Sequence, residues 1–341
     1  MINKVLIIAE AGVNHNGSLE NAKKLILAGA EAGVDYVKFQ TFKANKLVSK
    51  DAKKADYQKI NTKDENTSQF DMLKKLEMPE SWHHELIKYA ESLNVKFLST
   101  GFDEESIDFL DSINIDLFKI PSGEITNKPF LEHIAKKNKQ IIVSTGMANL
   151  NEVRAAIEVL QNNGIQKNSI TILHCNTEYP TPMLDVNLKA MLSLKKEFQV
   201  NIGYSDHTLG IEVPIAAVTL GATVIEKHFT LDKNMDGPDH KASLDPLELK
   251  QMVQSIRNIE MALSGNGIKE PSASELKNIQ IARKSIFTNK SLSKGHILRK
   301  EDLIMIRPGN GISPMDMDLY LNKQIAINMP EGHKVSKNDF I

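Results

Sequence analysis

Val5-Leu6-Ile7-Ile8-Ala9 is followed by Leu19-Glu20-Asn21-Ala22-Lys23-Lys24-Leu25-Ile26-Leu27-Ala28-Gly29-Ala30-Glu31-Ala32 and then by Tyr36-Val37-Lys38-Phe39-Gln40. The outer pieces are short, continuous apolar runs, the pattern of strands buried on both faces. The middle piece has helix length and mixes apolar with charged residues at helical spacing. A strand, a crossover helix and a second strand in this order predict a parallel pair.

The same texture recurs along the chain. Eight strands are expected, at Val5 to Ala9, Tyr36 to Gln40, Lys96 to Ser99, Leu117 to Ile120, Gln140 to Ser144, Ile170 to His174, Asn201 to Tyr204 and Thr223 to Lys227. Helices between them include Leu19 to Ala32, Ser81 to Ser92, Asn149 to Asn162 and Pro246 to Ala262. Eight such units in roughly 260 residues predict a closed (β/α)8 TIM barrel. An open doubly wound sheet needs a G-x-G-x-x-G turn after its first strand. Ala11-Gly12-Val13-Asn14-His15-Asn16-Gly17 lacks that spacing. The polar segment from Lys43 to Gln69 breaks the rhythm, and a loop of this length is expected to overhang the barrel mouth.

The barrel is expected over residues 1–263, a linker over 264–281 and a small β-rich domain over 282–341. Gly265-Asn266-Gly267 and Glu270-Pro271-Ser272 mark the linker. The last domain contains an internal echo. Gly295-His296, Lys300 and Asp302 recur in order as Gly332-His333, Lys337 and Asp339, which predicts a compact pseudo-symmetric unit.

The 341 residues carry 42 basic and 43 acidic side chains, a net charge of -1, so the basic surface that nucleic-acid binding requires is absent. Small molecules are the expected partners. One cysteine, Cys175, excludes an intrachain disulfide framework and an all-cysteine metal cluster. The apolar run after Met1-Ile2-Asn3-Lys4 is too short for an export signal or a membrane span, so a cytoplasmic enzyme is expected.

In a (β/α)8 barrel the reactive groups sit at the carboxyl ends of the strands. Here every strand ends in polar residues. In order they are Glu10; Lys38 and Gln40; Thr100; Lys119, Ser122 and Glu124; Ser144 and Thr145; His174 and Asn176; Ser205, Asp206 and His207; Lys227 and His228. His207 and His228, on adjacent strand ends, are a candidate metal pair that leaves other coordination positions open; the alternative is two ordinary hydrogen-bonded histidines. Lys38 and Lys119 call for an anion, with Thr100, Ser122, Ser144 and Ser205 as hydroxyl donors around it. Lys119 could instead pair with Glu124 or another acid nearby, and the hydroxyls could merely cap helices. Glu10 and Glu124 are candidate proton handlers, or partners for the lysines. Cys175 has no base at recognisable spacing and is expected to be a buried structural thiol. His83 and His84 are expected to be ordinary helix residues.

Several longer motifs surround these positions. They are residues 9–17, Val37-Lys38-Phe39-Gln40-Thr41, Phe118-Lys119-Ile120-Pro121-Ser122-Gly123-Glu124, Ser144-Thr145-Gly146-Met147, Tyr204-Ser205-Asp206-His207-Thr208, Glu226-Lys227-His228-Phe229-Thr230 and Gly237-Pro238-Asp239. In this order, spanning almost the whole chain, they resemble the bacterial sialic acid (nonulosonic acid) synthases. Ala282-Arg283-Lys284-Ser285 through Arg307-Pro308-Gly309-Asn310-Gly311 resembles that family's antifreeze-like (SAF-type) C-terminal domain.

The resemblance implies condensation of phosphoenolpyruvate with an N-acyl mannosamine-type sugar and water. It implies Mn2+, with Mg2+ or Co2+ as substitutes, at His207 and His228. Phosphoenolpyruvate is then held by Thr100, Lys119, Ser122, Ser144, Ser205 and either Asn176 or Thr177, and the sugar by Gln40, Tyr179 and Asp239. Glu10, Glu124 and Lys38 are left as the catalytic candidates. It further implies a domain-swapped homodimer in which Arg307 reaches the sugar's acyl group in the partner's barrel. Glu226 to Met235 with Lys241-Ala242-Ser243-Leu244 resembles the branch making N,N'-diacetyllegionaminate more than the branch making N-acetylneuraminate. The competing readings are another phosphoenolpyruvate-dependent aldose synthase and, in a different class, a carbohydrate-binding protein built on the antifreeze-like domain.

Overall fold

The structure is a computed structural model and describes residues 4–62 and 68–341. Two compact units divide it, Met1–Ser264 and Gly265–Ile341.

The first unit runs β1 (Leu6–Gly12), α1 (Leu19–Ala32), β2 (Tyr36–Thr41), α2 (Ala44–Leu47), α3 (Asp56–Thr62), α4 (Gln69–Leu76), α5 (Glu80–Ser92), β3 (Lys96–Gly101), α6 (Glu104–Ser112), β4 (Leu117–Ile120) and α7 (Lys128–Ala135). It continues β5 (Gln140–Ser144), α8 (Leu150–Asn162), β6 (Ile170–His174), α9 (Lys189–Phe198), β7 (Asn201–Asp206), α10 (Glu212–Thr219), β8 (Val224–His228) and α11 (Pro246–Ala262). The eight strands pair in parallel in the order β3-β2-β1-β8-β7-β6-β5-β4. The end strands β3 and β4 also pack together, so the sheet curls into a barrel.

Local signals explain the helices. In α1, Ser18 caps the first turn by accepting Asn21 N–H, and Gly33 ends the helix at φ 82. Ala22, Leu25, Ile26, Gly29 and Ala32 form the buried stripe between these ends. Asp245 and Glu248 make a reciprocal capping box at the start of α11, with Pro246 in its first turn.

Strand boundaries depart from expectation mostly at the carboxyl ends. β1 reaches Gly12 and β8 reaches His228, because pairing continues to Glu10 opposite His228. Beyond that pair β1 bulges against β2, with a register shift between Glu10 and Gly12. Gly12 sits at φ 52, and a Cβ there would lie 3.2 Å from Gln40 Nε2 and 3.3 Å from Glu10 Oε1. Only glycine combines that conformation with that approach. Of the 43–69 segment, α2, α3 and the start of α4 are described, while residues 63–67 lie outside the described residues.

In the second unit, α12 (Ala273–Ala282) occupies much of the 264–281 stretch and precedes the antiparallel pair β9 (Ser285–Thr288) and β10 (Leu303–Ile306). Ile286, Leu298, Ile325, Met329 and Val335 form its core. The sequence echo has a structural counterpart. His296 Nε2 lies 2.7 Å from Asp302 Oδ2, and His333 Nε2 lies 2.9 Å from Asp339 Oδ2. Each aspartate also accepts a backbone N–H three residues before it, from Arg299 and Ser336.

Candidate active site

The carboxyl ends of the barrel strands open into one cavity. Its lining includes Glu10, Lys38, Gln40, Thr100, Lys119, Ser122, Ser144, Thr177, Tyr179, Ser205, His207, Glu226, His228 and Asp239. The segment expected to overhang the mouth contributes Gln58 from α3, and α4, just after it, contributes Met72, Leu73 and Leu76. With Val13 and Phe102 these apolar groups form one wall.

A charge cluster makes up the floor. Glu226 Oε1 accepts from Lys119 Nζ at 3.1 Å and from Ser205 Oγ at 2.9 Å, and its Oε2 lies 3.5 Å from Lys38 Nζ. Lys38 reaches Glu10 Oε2 at 2.7 Å and donates to Thr100 Oγ1 at 2.8 Å. The Lys38–Glu10 approach is close but off the hydrogen-bond direction, and Glu10 Oε2 keeps no hydrogen-bond donor. Gln40 Nε2 donates to the other oxygen of Glu10 at 3.1 Å.

The two carboxyls are driven apart in acidity. Burial acts to raise both. In Glu226 the ammonium groups of Lys119 and Lys38 overcome it and hold the carboxyl well below the usual range. In Glu10 burial prevails over Lys38, helped by the neighbouring charge of Glu226, and its pKa is raised. Glu226 is therefore a fixed negative charge and Glu10 the carboxyl suited to exchanging a proton. Lys38 is raised: burial works against its charge, and Glu10 and Glu226 outweigh that.

The histidine pair stands beside this cluster. The His207 and His228 rings are 5.3 Å apart between centroids, and Tyr179 stacks on His207 at 4.1 Å. His207 Nδ1 bonds the Asn176 carbonyl, which leaves Nε2 as the lone-pair nitrogen. His228 Nδ1 is buried with no hydrogen-bond partner and lies 4.0 Å from Asp239 Oδ2. Burial lowers His207 to about 4 and takes His228 well below its ordinary value, so both imidazoles are neutral at pH 7. Two adjacent neutral imidazoles, with His228 Nδ1 buried and lacking a hydrogen-bond partner, fit a divalent ion. Among the described residues, no group of three or more His, Cys, Asp or Glu side chains forms a metal site. Asp239, pushed up to about 7 by burial and by the charge of Glu10, completes this side of the cavity.

Several expectations need correction. Glu124 does not line the cavity; it sits in a one-turn helix after Pro121 and accepts from Asn127 Nδ2 at 2.6 Å. The nearby acid that pairs with Lys119 is Glu226 rather than Glu124. Asn176 does not line the cavity, and its side chain accepts Glu178 N–H at 2.7 Å; Thr177 is the one that lines it. Lys227 and Asp206 turn away from the mouth and pair with each other. Arg307, in the second unit, is exposed and donates through Nε to the Ala282 carbonyl at 3.0 Å. Cys175, as expected, is a buried free thiol, 3.2 Å from Ser122 Oγ. Glu226 is the site residue that strand-end reasoning missed. It lies two residues before His228 on the same strand, and strand alternation puts both on one face.

The profile of the NeuB family matches residues 25–269 of this sequence, the barrel that carries the cavity. The chain belongs to the NeuB family. A SAF domain profile matches residues 283–341, so this NeuB-family chain combines the synthase barrel with a SAF domain. It is 56% identical over 332 residues to the N,N'-diacetyllegionaminic acid synthase of Campylobacter jejuni, covering 97% of this chain and 99% of that protein. Identity to the protein of the same name from Legionella pneumophila is 52% over 329 residues, covering 96% and 92%. The crystal structure of the N-acetylneuraminic acid (sialic acid) synthetase of Leptospira borgpetersenii superposes with a TM-score of 0.71 at 33% identity, covering 81% of this chain and 90% of that one. No helix among the described residues of this NeuB-family chain is long and apolar enough to cross a membrane.

Proposed function

We propose that this chain condenses phosphoenolpyruvate with 2,4-diacetamido-2,4,6-trideoxymannose and water, giving N,N'-diacetyllegionaminate and phosphate. The observation that carries the assignment is the near-full-length likeness to N,N'-diacetyllegionaminic acid synthases, joined to a cavity that pairs an anion floor with two neutral histidines.

Phosphoenolpyruvate is held by Lys119 and Lys38, with hydroxyl donors from Thr100, Ser122, Ser144, Ser205 and Thr177. Ser144 Oγ is buried without a partner, which supports a ligand contact there. His207 and His228 would hold a divalent ion, Mn2+ by preference with Mg2+ or Co2+ as substitutes, which would supply Lewis-acid polarisation of the open-chain sugar aldehyde. C3 of phosphoenolpyruvate bonds to the aldehyde carbon as the C=O π electrons move onto its oxygen, which takes the proton from Asp239, and C2 becomes cationic. Glu226, fixed as a carboxylate, lowers the energy of that charge. Water adds to C2 and its proton passes to Glu10 Oε2. The adduct's hydroxyl passes its proton to the departing phosphate as the C2–O bond to phosphate breaks, leaving a 2-keto acid, and the phosphate leaves neutralised by Lys119. Asp239 carries a proton near neutral pH and donates it to a sugar oxygen.

Gln40 and Tyr179 contact the sugar, and the apolar wall of Val13, Met72, Leu73, Leu76 and Phe102 suits its deoxy methyl and acetamido methyl groups. Arg307 reaches the acyl group from the partner's SAF domain in a domain-swapped homodimer. Support comes from α12, which buries none of its residues and exposes Leu276 and Ile281. The enzyme works in the cytoplasm, where phosphoenolpyruvate is made. Turnover on 2,4-diacetamido-2,4,6-trideoxymannose and N-acetylmannosamine tests the sugar assignment. The expected kcat/KM ratio favours the former by about tenfold or more; a preference for N-acetylmannosamine overturns it.

A further inference from the structure

β7 and β8 end side by side, and their last residues alternate between the two faces of the barrel wall. Ser205 and Glu226 are register partners and line the cavity. Asp206 and Lys227 are the next partners, and alternation turns both away from it. There Lys227 Nζ meets Asp206 Oδ2 at 2.5 Å, and both side chains are 0% exposed.

Thr208 closes the arrangement. Lys227 also donates to the Thr208 carbonyl, while Asp206 Oδ1 accepts the Thr208 N–H at 3.1 Å and its hydroxyl at 2.9 Å. His207 is pinned between these two residues, and its carbonyl accepts Thr181 N–H at 2.9 Å. His228 follows Lys227 directly. The ion pair thus ties the residue before one histidine to the residue before the other.

Stability alone is a poor reason for this pair. Desolvation of two charges offsets most of their attraction, and apolar residues of similar volume do as well or better. What the pair does supply is direction, because each hydrogen bond fixes one backbone segment carrying an imidazole.

We propose that Asp206, Lys227 and Thr208 form a buried clamp that sets the separation and orientation of the His207 and His228 imidazoles. They are positioning residues for the divalent ion and do not touch it. The proposal rests on the assignment of His207 and His228 as the metal anchor.

Mn2+ titration of the metal-free enzyme, followed by the electron paramagnetic resonance signal of unbound Mn2+, tests the clamp alongside thermal midpoints. The double variant Lys227→Met with Asp206→Leu removes both charges together and leaves no orphaned ion. It is expected to melt close to the parent yet bind Mn2+ about tenfold to a hundredfold more weakly, the range for residues that orient metal ligands. Activity should return toward the parent value at high Mn2+. Thr208→Val, a near-isosteric change, is expected to weaken Mn2+ by a smaller factor with phosphoenolpyruvate affinity unchanged. Parent-like Mn2+ affinity in the folded double variant overturns the clamp, and if that variant does not fold, parent-like affinity in Thr208→Val does so. His228→Ala separates the two levels: if it binds Mn2+ like the parent, the metal assignment itself has failed. If it loses Mn2+ while the clamp variants retain it, only the clamp has failed.

Discussion

Lys119 directs its ammonium at Glu226, 3.1 Å away, and both side chains are buried in the floor of the cavity. Lys38 approaches the same carboxylate from the other side at 3.5 Å. One fixed anion thus keeps two buried cations in place until a substrate anion arrives.

Glu226→Gln removes that anion and strands the lysines. Breaking a buried pair this way costs about 3 kcal/mol or more, so the variant is expected to melt well below the parent. Phosphoenolpyruvate replaces part of the missing charge, and its addition should raise the variant's melting temperature more than the parent's. Equal shifts would show that the lysines do not hold this substrate. kcat is expected to fall at least about tenfold, since the cationic C2 loses its nearby carboxylate.

For His207→Ala, the expectation is loss of Mn2+ retention and of turnover with an unchanged circular dichroism spectrum. In the parent, chelation should abolish activity and added Mn2+ restore it. A His207→Ala enzyme that Mn2+ reactivates as well as the parent contradicts the anchor.

His83, read from the sequence as an ordinary helix residue, is buried between Thr41, whose hydroxyl lies 2.8 Å from Nε2, and the Pro79 carbonyl, 3.2 Å from Nδ1. Burial lowers its pKa to about 4. Between its ordinary value near 6.5 and about 4, the unfolded chain binds a proton that the native chain refuses, so stability falls as pH falls through that window. Full expression of the effect is worth up to about 3 kcal/mol. Urea unfolding from pH 7 to 4 should give a shallower pH slope for His83→Gln than for the parent. Identical slopes would remove His83 from the account.

Arg307→Ala is expected to raise KM for the sugar without unfolding the chain. Mixed with a Glu10→Gln partner that has an intact Arg307, it should regain activity, because one hybrid barrel then combines a working Glu10 with a working arginine. No recovery in verified mixed dimers contradicts the action in trans.

Much of this was legible because strands are short and periodic. Lys38, Thr100, Lys119, Ser144, Ser205, His207 and His228 follow from placing the carboxyl ends of eight apolar runs, and all of them line the cavity. Misreadings arose where strand parity was ignored or ran out. Lys227 adjoins His228 and therefore faces the other way, whereas Glu226, two residues back, shares its face. Glu124 and Asn176 lie beyond the strands, in turns whose side-chain directions depend on local hydrogen bonds to Asn127 and Glu178. The acidity split between Glu10 and Glu226 was invisible, because it comes from burial set against one neighbouring lysine in Glu10 and two in Glu226.

Phosphoenolpyruvate labelled with 18O in the bridging C–O–P position, incubated with the enzyme, Mn2+ and 2,4-diacetamido-2,4,6-trideoxymannose, tests the central claim most directly. Condensation with C–O cleavage predicts a nine-carbon 2-keto acid together with equimolar phosphate that carries the label. Label retained in the keto acid, or no phosphate released with any N-acyl hexosamine, would contradict it.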